Sequence, residues 1–567
     1  MKNLKINRLA LVGLTALVGG LASCGTGGGG SSSTTTNVNI LVFNGTGGRE
    51  WLDKATKRFA EANKETSFQE GKKGITFKIT PKKSVVFNSE MKTSGDDIFI
   101  YESTTDIYQL AAQNFLMDLS DIVEPMVTSN TIESNTLERL KGPDDKYYAL
   151  PHYEWFPGIS YDKDLFEQKN YYFADPSVDE QDKELYTSKY GNAYFVADKN
   201  AKKSVGPNGK AGDYDDGLPS SLEEFNILCD KMAGEGVSPL LICGGGHYYS
   251  WYLPLAMWAS LTGADGMKDT MCNWTDAEVD MVSSFGSEDA FYSGSGLKKP
   301  VTTKMKLNDE NGYQMYNMAN RYYSLAFFEM ALANKWIDAV ALANSNQTPV
   351  EAMNWFINKH NSKSYGMYWD GSYWCHEAAD VGTFSDYAKM NVDNPDRHVA
   401  FMPLPTQLTG QVSEGHGKRP TLINVGSTLT FANARCEKNG KAKAVKEFIK
   451  FIYSENELAA FSELTGLTAP VKYSYNVDAL NNTYYKDLAA YRADAEVVQQ
   501  SSYSTRYKKN FATFLYGYTM TISSFASSSG TQNQGGYLDA FRKLDCTSQY
   551  IFEHTQLTKD NWDKMSK

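Results

Sequence analysis

Polar and apolar positions alternate through residues 38–43 (Val-Asn-Ile-Leu-Val-Phe) until Asn44-Gly45-Thr46-Gly47-Gly48 breaks the pattern, which predicts a strand entering a loop. A helix is expected next: Trp51, Ala55 and Phe59 recur at i, i+4 and i+8 on one face, with Lys54, Lys57 and Arg58 mostly off it. Residues 74–80 set Ile75, Phe77 and Ile79 two apart, and Asp97-Ile98-Phe99-Ile100-Tyr101 is a second short run, so both predict strands. Strand, helix, strand implies a parallel sheet. Ligands of such sheets bind beyond the carboxyl ends of the strands, which nominates Asn44, Gly45, Tyr101, Glu102 and Ser103 as cleft residues, each also suited to ordinary loop capping.

Further along, residues 105–115 are helical in pattern, and residues 147–156 (Tyr-Tyr-Ala-Leu-Pro-His-Tyr-Glu-Trp-Phe) form an extended aromatic stretch placed to cross between lobes. Residues 168–217 are rich in Tyr, Asp, Lys and Gly with little apolar periodicity, which predicts a long surface insertion. Asp213, Asp215 and Asp216 lie close together there. A calcium loop is one reading of them, but Gly217 and Leu218 do not fit the order of an EF-hand loop, so a solvated acidic turn is the expected one and no metal site is assigned. Pro219-Ser220-Ser221-Leu222-Glu223-Glu224-Phe225 then starts a helix, with serine three residues before glutamate as in a capping box. A strand is expected at 238–243, followed by a glycine loop, Gly244-Gly245-Gly246-His247, that offers Tyr249 and Trp251 at the head of an apolar helix. Cys243 and His247 have no second pair at metal-ligand spacing. Residues 315–339 carry Tyr322, Tyr323, Phe327 and Phe328 as a core-facing helical stripe.

One stretch departs from these patterns. Residues 365–374 (Tyr-Gly-Met-Tyr-Trp-Asp-Gly-Ser-Tyr-Trp) crowd five rings, one carboxylate and two glycines into ten positions. Rings offer flat apolar faces, Asp370 offers paired acceptors, and Gly366 and Gly371 permit close approach, a combination that suits a sugar-binding cleft. An amphipathic core strand ending in a Gly-Ser turn accounts for the same residues.

Composition places the chain. Its 567 residues allow two or more domains, and 41% hydrophobic with 22% charged residues mark it as globular. Lys2, Lys5 and Arg8 precede an apolar run at 9–18 and small residues before Cys24, the plan of an export signal too short to span a membrane. Without residues 1–23 the body has 53 basic against 67 acidic residues, a net charge of −14 that argues against general nucleic-acid binding. Leu21-Ala22-Ser23-Cys24 resembles the bacterial lipobox, which implies lipid modification of Cys24, and residues 24–37, mostly Gly, Ser and Thr, make a flexible tether. Six further cysteines, Cys229, Cys243, Cys272, Cys375, Cys436 and Cys546, are scattered without a disulfide framework and are expected to be mostly free and buried.

Ala149-Leu150-Pro151, followed by Ser160-Tyr161-Asp162-Lys163-Asp164-Leu165-Phe166, resembles the family 1 extracellular solute-binding proteins, the sugar-type receptors of ABC importers. Pro219-Ser220-Ser221-Leu222-Glu223-Glu224-Phe225, the Gly371-Ser372-Tyr373-Trp374 ending, Met402-Pro403-Leu404-Pro405, Asn424-Val425-Gly426-Ser427 and Thr465-Gly466-Leu467-Thr468-Ala469-Pro470 keep the family order over residues 38 to about 475. The resemblance implies an α/β, two-lobe periplasmic-binding-protein-like fold of class II type with its cleft between the lobes. Residues 38–150 with about 400–475 would build the first lobe, and 151–399 with 476–567 the second. It makes Tyr153 and Trp155 ligand contacts, and it puts either Tyr373 or Trp374 at the family's ligand-stacking position. Both are taken as contacts, Trp374 first, together with Trp369, Asp370, Trp155, Tyr153, Glu102, Tyr101, Asn44, Tyr249 and Trp251.

The implied protein is a monomeric, lipid-anchored receptor that passes a carbohydrate to permease subunits without cofactor or catalysis. His376-Glu377-Ala378-Ala379-Asp380 lacks the second histidine of a zinc protease, and Gly415-His416-Gly417-Lys418-Arg419 lacks phosphate-loop spacing. A glycoside hydrolase using two of Glu102, Asp370 and Glu377 is the enzyme alternative, and a surface polysaccharide-binding protein is the other.

Overall fold

A computed structural model describes residues 34–566 except 44, 83–86, 103–106, 133, 246, 427, 481, 511–513 and 515–546. Cys24, Asn44, Ser103 and Cys546 therefore lie outside the described residues. The first strand, Thr36–Phe43, runs parallel to Ile75–Lys82 on one side and to Ile98–Glu102 on the other. Ile40, Leu41 and Val42 are all buried, the near-continuous apolar run of a parallel strand covered on both faces. The helix Glu50–Ala62 buries Trp51, Leu52, Ala55 and Phe59. Phe59 in turn meets Phe448 of the distant helix Ala442–Ile452 edge-on, with ring centres 5.3 Å apart. The five-stranded sheet is completed by Thr428–Ala432, which slots antiparallel between Ile98–Glu102 and Ala149–Pro151. A strand nearly 280 residues later than its neighbour can enter there only if the chain has left this layer and returned.

It leaves to build a second sheet, ordered Val399–Phe401, Pro157–Asp162, Tyr365–Gly371, Ser238–Ile242. Tyr365–Gly371 is central, parallel to one neighbour and antiparallel to the other, with all seven residues buried. Alternation sends its side chains to two covered faces. Trp369 meets Phe328 of the helix Ala319–Ala333 at 5.0 Å, and Tyr368 stacks on Phe356 of the helix Pro349–Asn358 at 5.5 Å. Three connections join the sheets: residues 152–156, 402–427 and 466–482. The last leads into the helix Thr483–Asp494, whose Tyr484 hydroxyl donates to the Ser372 carbonyl oxygen at 3.1 Å. Two α/β lobes with three crossings are the two-lobe plan of the periplasmic binding proteins.

Several expectations need correction. Residues 168–217 are not merely a surface excursion: Tyr171, Tyr172, Phe173, Phe195 and Val196 are buried, and Phe173 meets Phe195 at 4.6 Å. Isolated tyrosines and phenylalanines carried this burial, so no periodic stripe revealed it. The acidic turn is only partly solvated: Asp213 is exposed and Asp216 half-buried, but Asp215 is fully buried. The pattern at 315–339 divides into a short turn, Gly312–Asn317, and the helix Ala319–Ala333, which stops before Lys335 at φ +58°. At the next helix, Leu222–Gly234, Ser221 caps the Glu224 N–H as expected, while Glu224 reaches back to the Ser220 N–H at 2.7 Å rather than to the cap residue itself. Five cysteines, Cys229, Cys243, Cys272, Cys375 and Cys436, are free and buried.

Candidate functional site

The 152–156 crossing brings Trp155 to where the lobes meet. Its backbone N–H donates to Asn424 Oδ1 at 3.3 Å and its carbonyl accepts from the Val425 N–H at 3.2 Å, so one crossing fixes another. The indole ring meets Tyr373 edge-on at 5.1 Å and Tyr252 at 5.2 Å. Tyr252 also contacts Tyr249 at 5.1 Å and Trp251 at 4.6 Å, and the Tyr252 and Tyr373 hydroxyls are 3.4 Å apart. The turn into the helix Tyr252–Thr262 delivers three of these rings, and the Gly371-Ser372 turn delivers the fourth, Tyr373, to Trp155. All five keep 6–7% exposure, where Trp369 and Trp374 keep none. The Trp155 indole N–H is buried and has no hydrogen-bond partner among the described residues. A buried donor left without an acceptor costs about 1–3 kcal/mol, which an incoming hydroxyl oxygen would offset.

Two carboxylates lie beside the rings. Asp370 accepts from the Tyr368 hydroxyl at 2.6 Å and the Gly371 N–H at 2.7 Å, and burial pushes its carboxyl up to about 7. Glu377, in the helix Trp374–Asp380, accepts the Thr46 N–H at 2.7 Å and so ties the loop after the first strand to the second lobe. Gly48 makes that approach possible: at φ +59°, an added Cβ would sit 3.3 Å from Asp380 Oδ2. A cavity of about 240 Å³ opens beside this contact, between Gly47–Trp51 and Cys375–Asp380.

The structure thus gathers Trp155, Tyr373, Tyr249 and Trp251 with Asp370 close behind them. It places the other sequence candidates elsewhere. Trp374 is enclosed among Phe356, Tyr368 and Tyr484, with its indole N–H donating to Ser160 Oγ at 2.8 Å. Trp369 is equally enclosed and donates to the Tyr249 carbonyl at 3.0 Å. Tyr153 stacks on Phe461 at 6.3 Å, and Tyr101 meets Phe43 edge-on at 5.3 Å in the first lobe. Glu102 contributes backbone pairing to Thr428.

The family model for bacterial extracellular solute-binding proteins matches residues 45–457, most of the chain. The chain belongs to this family. Its members are binding proteins rather than enzymes. No curated protein matches the sequence. Among solved structures, this solute-binding protein is similar to a chitin oligosaccharide binding protein, at 13% identity over 94% of this chain and 100% of that one, with a TM-score of 0.54. The solute-binding protein RafE in complex with raffinose matches at 12% identity over 94% and 100% of the two chains, TM-score 0.51. Maltose-bound MalE3 of T. maritima matches at 13% identity over 94% and 100%, TM-score 0.50. At such identities these likenesses speak to the two-lobe fold alone.

Within this solute-binding protein, Tyr252 and Asn424 are the residues that sequence reasoning did not single out as contacts. Tyr252 was hidden in an apolar helix whose residues 252–261 are all buried. Asn424 receives both the Trp155 and Gly426 N–H groups, while its amide donates to Gln499 Oε1 at 2.7 Å. Apart from Gly426, its partners lie 269 and 75 residues away, beyond any local pattern. Among the described residues no helix is long and apolar enough to cross a membrane.

Proposed function

We propose that this protein is the lipid-anchored receptor of a sugar ABC importer, which takes an oligosaccharide between its lobes and hands it intact to a membrane permease. The observation that carries the reading is the five-ring cluster at the lobe junction with an indole N–H at its centre that has no partner among the described residues. Aromatic faces stack on the apolar C–H faces of pyranoses, and an indole N–H donates to a ring or hydroxyl oxygen. Asp370 holds the Tyr368 hydroxyl and the Gly371 turn, so its role is to orient the Tyr373 ring. Trp374 and Trp369 support this surface from behind. Ligand bound to both lobes favours the closed state, and closure signals occupancy to the permease. Cys24 carries the anchor and the residues from there to the strand that begins at Thr36 the tether, and the protein works as a monomer without catalysis.

A thermal-shift screen of the protein against mono- and oligosaccharides, with every hit recovered and checked for cleavage, tests the proposal. A stabilising oligosaccharide recovered whole is the expected result. Cleavage of the hit would move the assignment to a glycoside hydrolase using Asp370 or Glu377. A screen with no sugar hit would overturn the carbohydrate reading.

A further inference from the structure

The loop 204–218 holds a second group of polar atoms, remote from the ring cluster in its chemistry. One oxygen from each of Asp213, Asp215 and Asp216 lies within 4.8 Å of the other two. Proximity of acids alone would mean little on a protein surface. Here Asp215 is fully buried, and while its Oδ2 accepts the Asn208 N–H at 3.0 Å, its Oδ1 is buried with no donor among the described residues. Asp216 repeats the arrangement: Oδ2 accepts the Gly212 N–H at 2.8 Å, and Oδ1 is buried and unpartnered. Asp215 and Asp216 each spend one oxygen on shaping the loop and leave the other without a donor among the described residues, while Asp213 accepts at both oxygens, from the Asp215 N–H at 3.3 Å and from Asn208 Nδ2 at 2.8 Å. Among the described residues, no lysine or arginine forms an ion pair with any of the three.

We propose that this loop binds one calcium ion, through Asp213, Asp215 and Asp216. Three carboxylates in one small volume repel one another unless a proton or a cation lies between them, and unpaired buried acceptors are what a cation would satisfy. The donors are all hard oxygens with no histidine or cysteine among them, which selects against zinc and its neighbours. Calcium accepts irregular sets of six to eight oxygens completed by carbonyls and water, whereas magnesium demands a near-octahedral set, so an irregular loop of this kind suits calcium. The site would act as a clasp. Asn208 Nδ2 and the Tyr214 hydroxyl both donate to Asp494 Oδ2, at 3.1 and 2.9 Å, and Lys210 pairs with the same carboxylate. Asp494 closes the helix Thr483–Asp494, so an ordered loop pins the 168–217 region to the helix that follows the third crossing.

The test uses the full chain freed of metal with a chelator and titrated with calcium chloride in a calorimeter, with melting followed in parallel. One saturable calcium site and a rise in Tm of about 3 °C or more at a hundredfold excess over Kd are expected. Asp215→Asn should abolish both responses, yet melt no lower than wild type in chelator, because it removes one of three crowded charges. Asp216→Asn makes the same test at a half-buried position should Asp215→Asn fail to fold. Absence of saturable binding, an equal response to magnesium chloride, or an unchanged calcium response in both variants would each overturn the proposal.

Discussion

Burial separates two tryptophans that are indistinguishable by sequence. Trp374 is fully enclosed and hydrogen-bonded to Ser160, so Trp374→Ala should cost about 3–5 kcal/mol of stability, measured by denaturant unfolding, through the cavity it leaves. Trp155 keeps a sliver of exposure and an N–H with no partner among the described residues, so Trp155→Ala should weaken sugar binding by about tenfold or more while lowering Tm less than the Trp374 change. Asp370 supplies a pH signature. Its carboxyl titrates near 7 in the fold against roughly 3.9 unfolded, so the fold holds the proton more tightly. The stability linked to that proton is complete below about pH 4 and is lost as pH rises through about 7, an effect on the order of a few kcal/mol. Asp370→Asn should therefore gain stability relative to wild type as pH is raised from 4 to 7. A pH-independent difference in melting temperature would show that this carboxyl is not the titrating group.

Among the elements, the strand Tyr365–Gly371 and the turn after it set the site. An added Cβ at Gly371 would meet the Tyr373 ring at 2.4 Å and the Trp155 ring at 2.9 Å, so Gly371→Ala should spread the rings and weaken sugar binding by calorimetry. Gly286→Ala is its control, since the Cβ there meets nothing closer than 3.5 Å and should leave binding unchanged. Periodicity made the first lobe legible: the alternation at 38–43 and the i, i+4, i+8 face at 51–59 correspond to the observed strand and helix. The stretch 365–374 was legible as unusual but not as to which of its rings faced solvent. In a strand covered on both faces every position is buried, so alternation loses its meaning and Trp369 looks no different from a cleft residue. Tyr373 and Trp374 differ by one step of a turn, and only the three-dimensional path of that turn separates a ring facing Trp155 from one facing Ser160.

At the scale of the whole molecule, the two lobes are joined by three crossings and by contacts that include Glu377 with Thr46 and Glu138 with Lys508. Closure around a ligand should reduce the radius of gyration in solution scattering when sugar is added, and a particle of unchanged size would argue against a hinge. The central claim is that an intact oligosaccharide is held against the Trp155 ring cluster. It is tested most directly by calorimetric titration of wild type and Trp155→Ala with the sugar that best stabilises the protein, followed by recovery of that sugar. The account predicts one site, a loss of about tenfold or more in affinity for the variant, and sugar recovered uncleaved. Equal affinity for the two proteins, or a cleaved sugar, would contradict it.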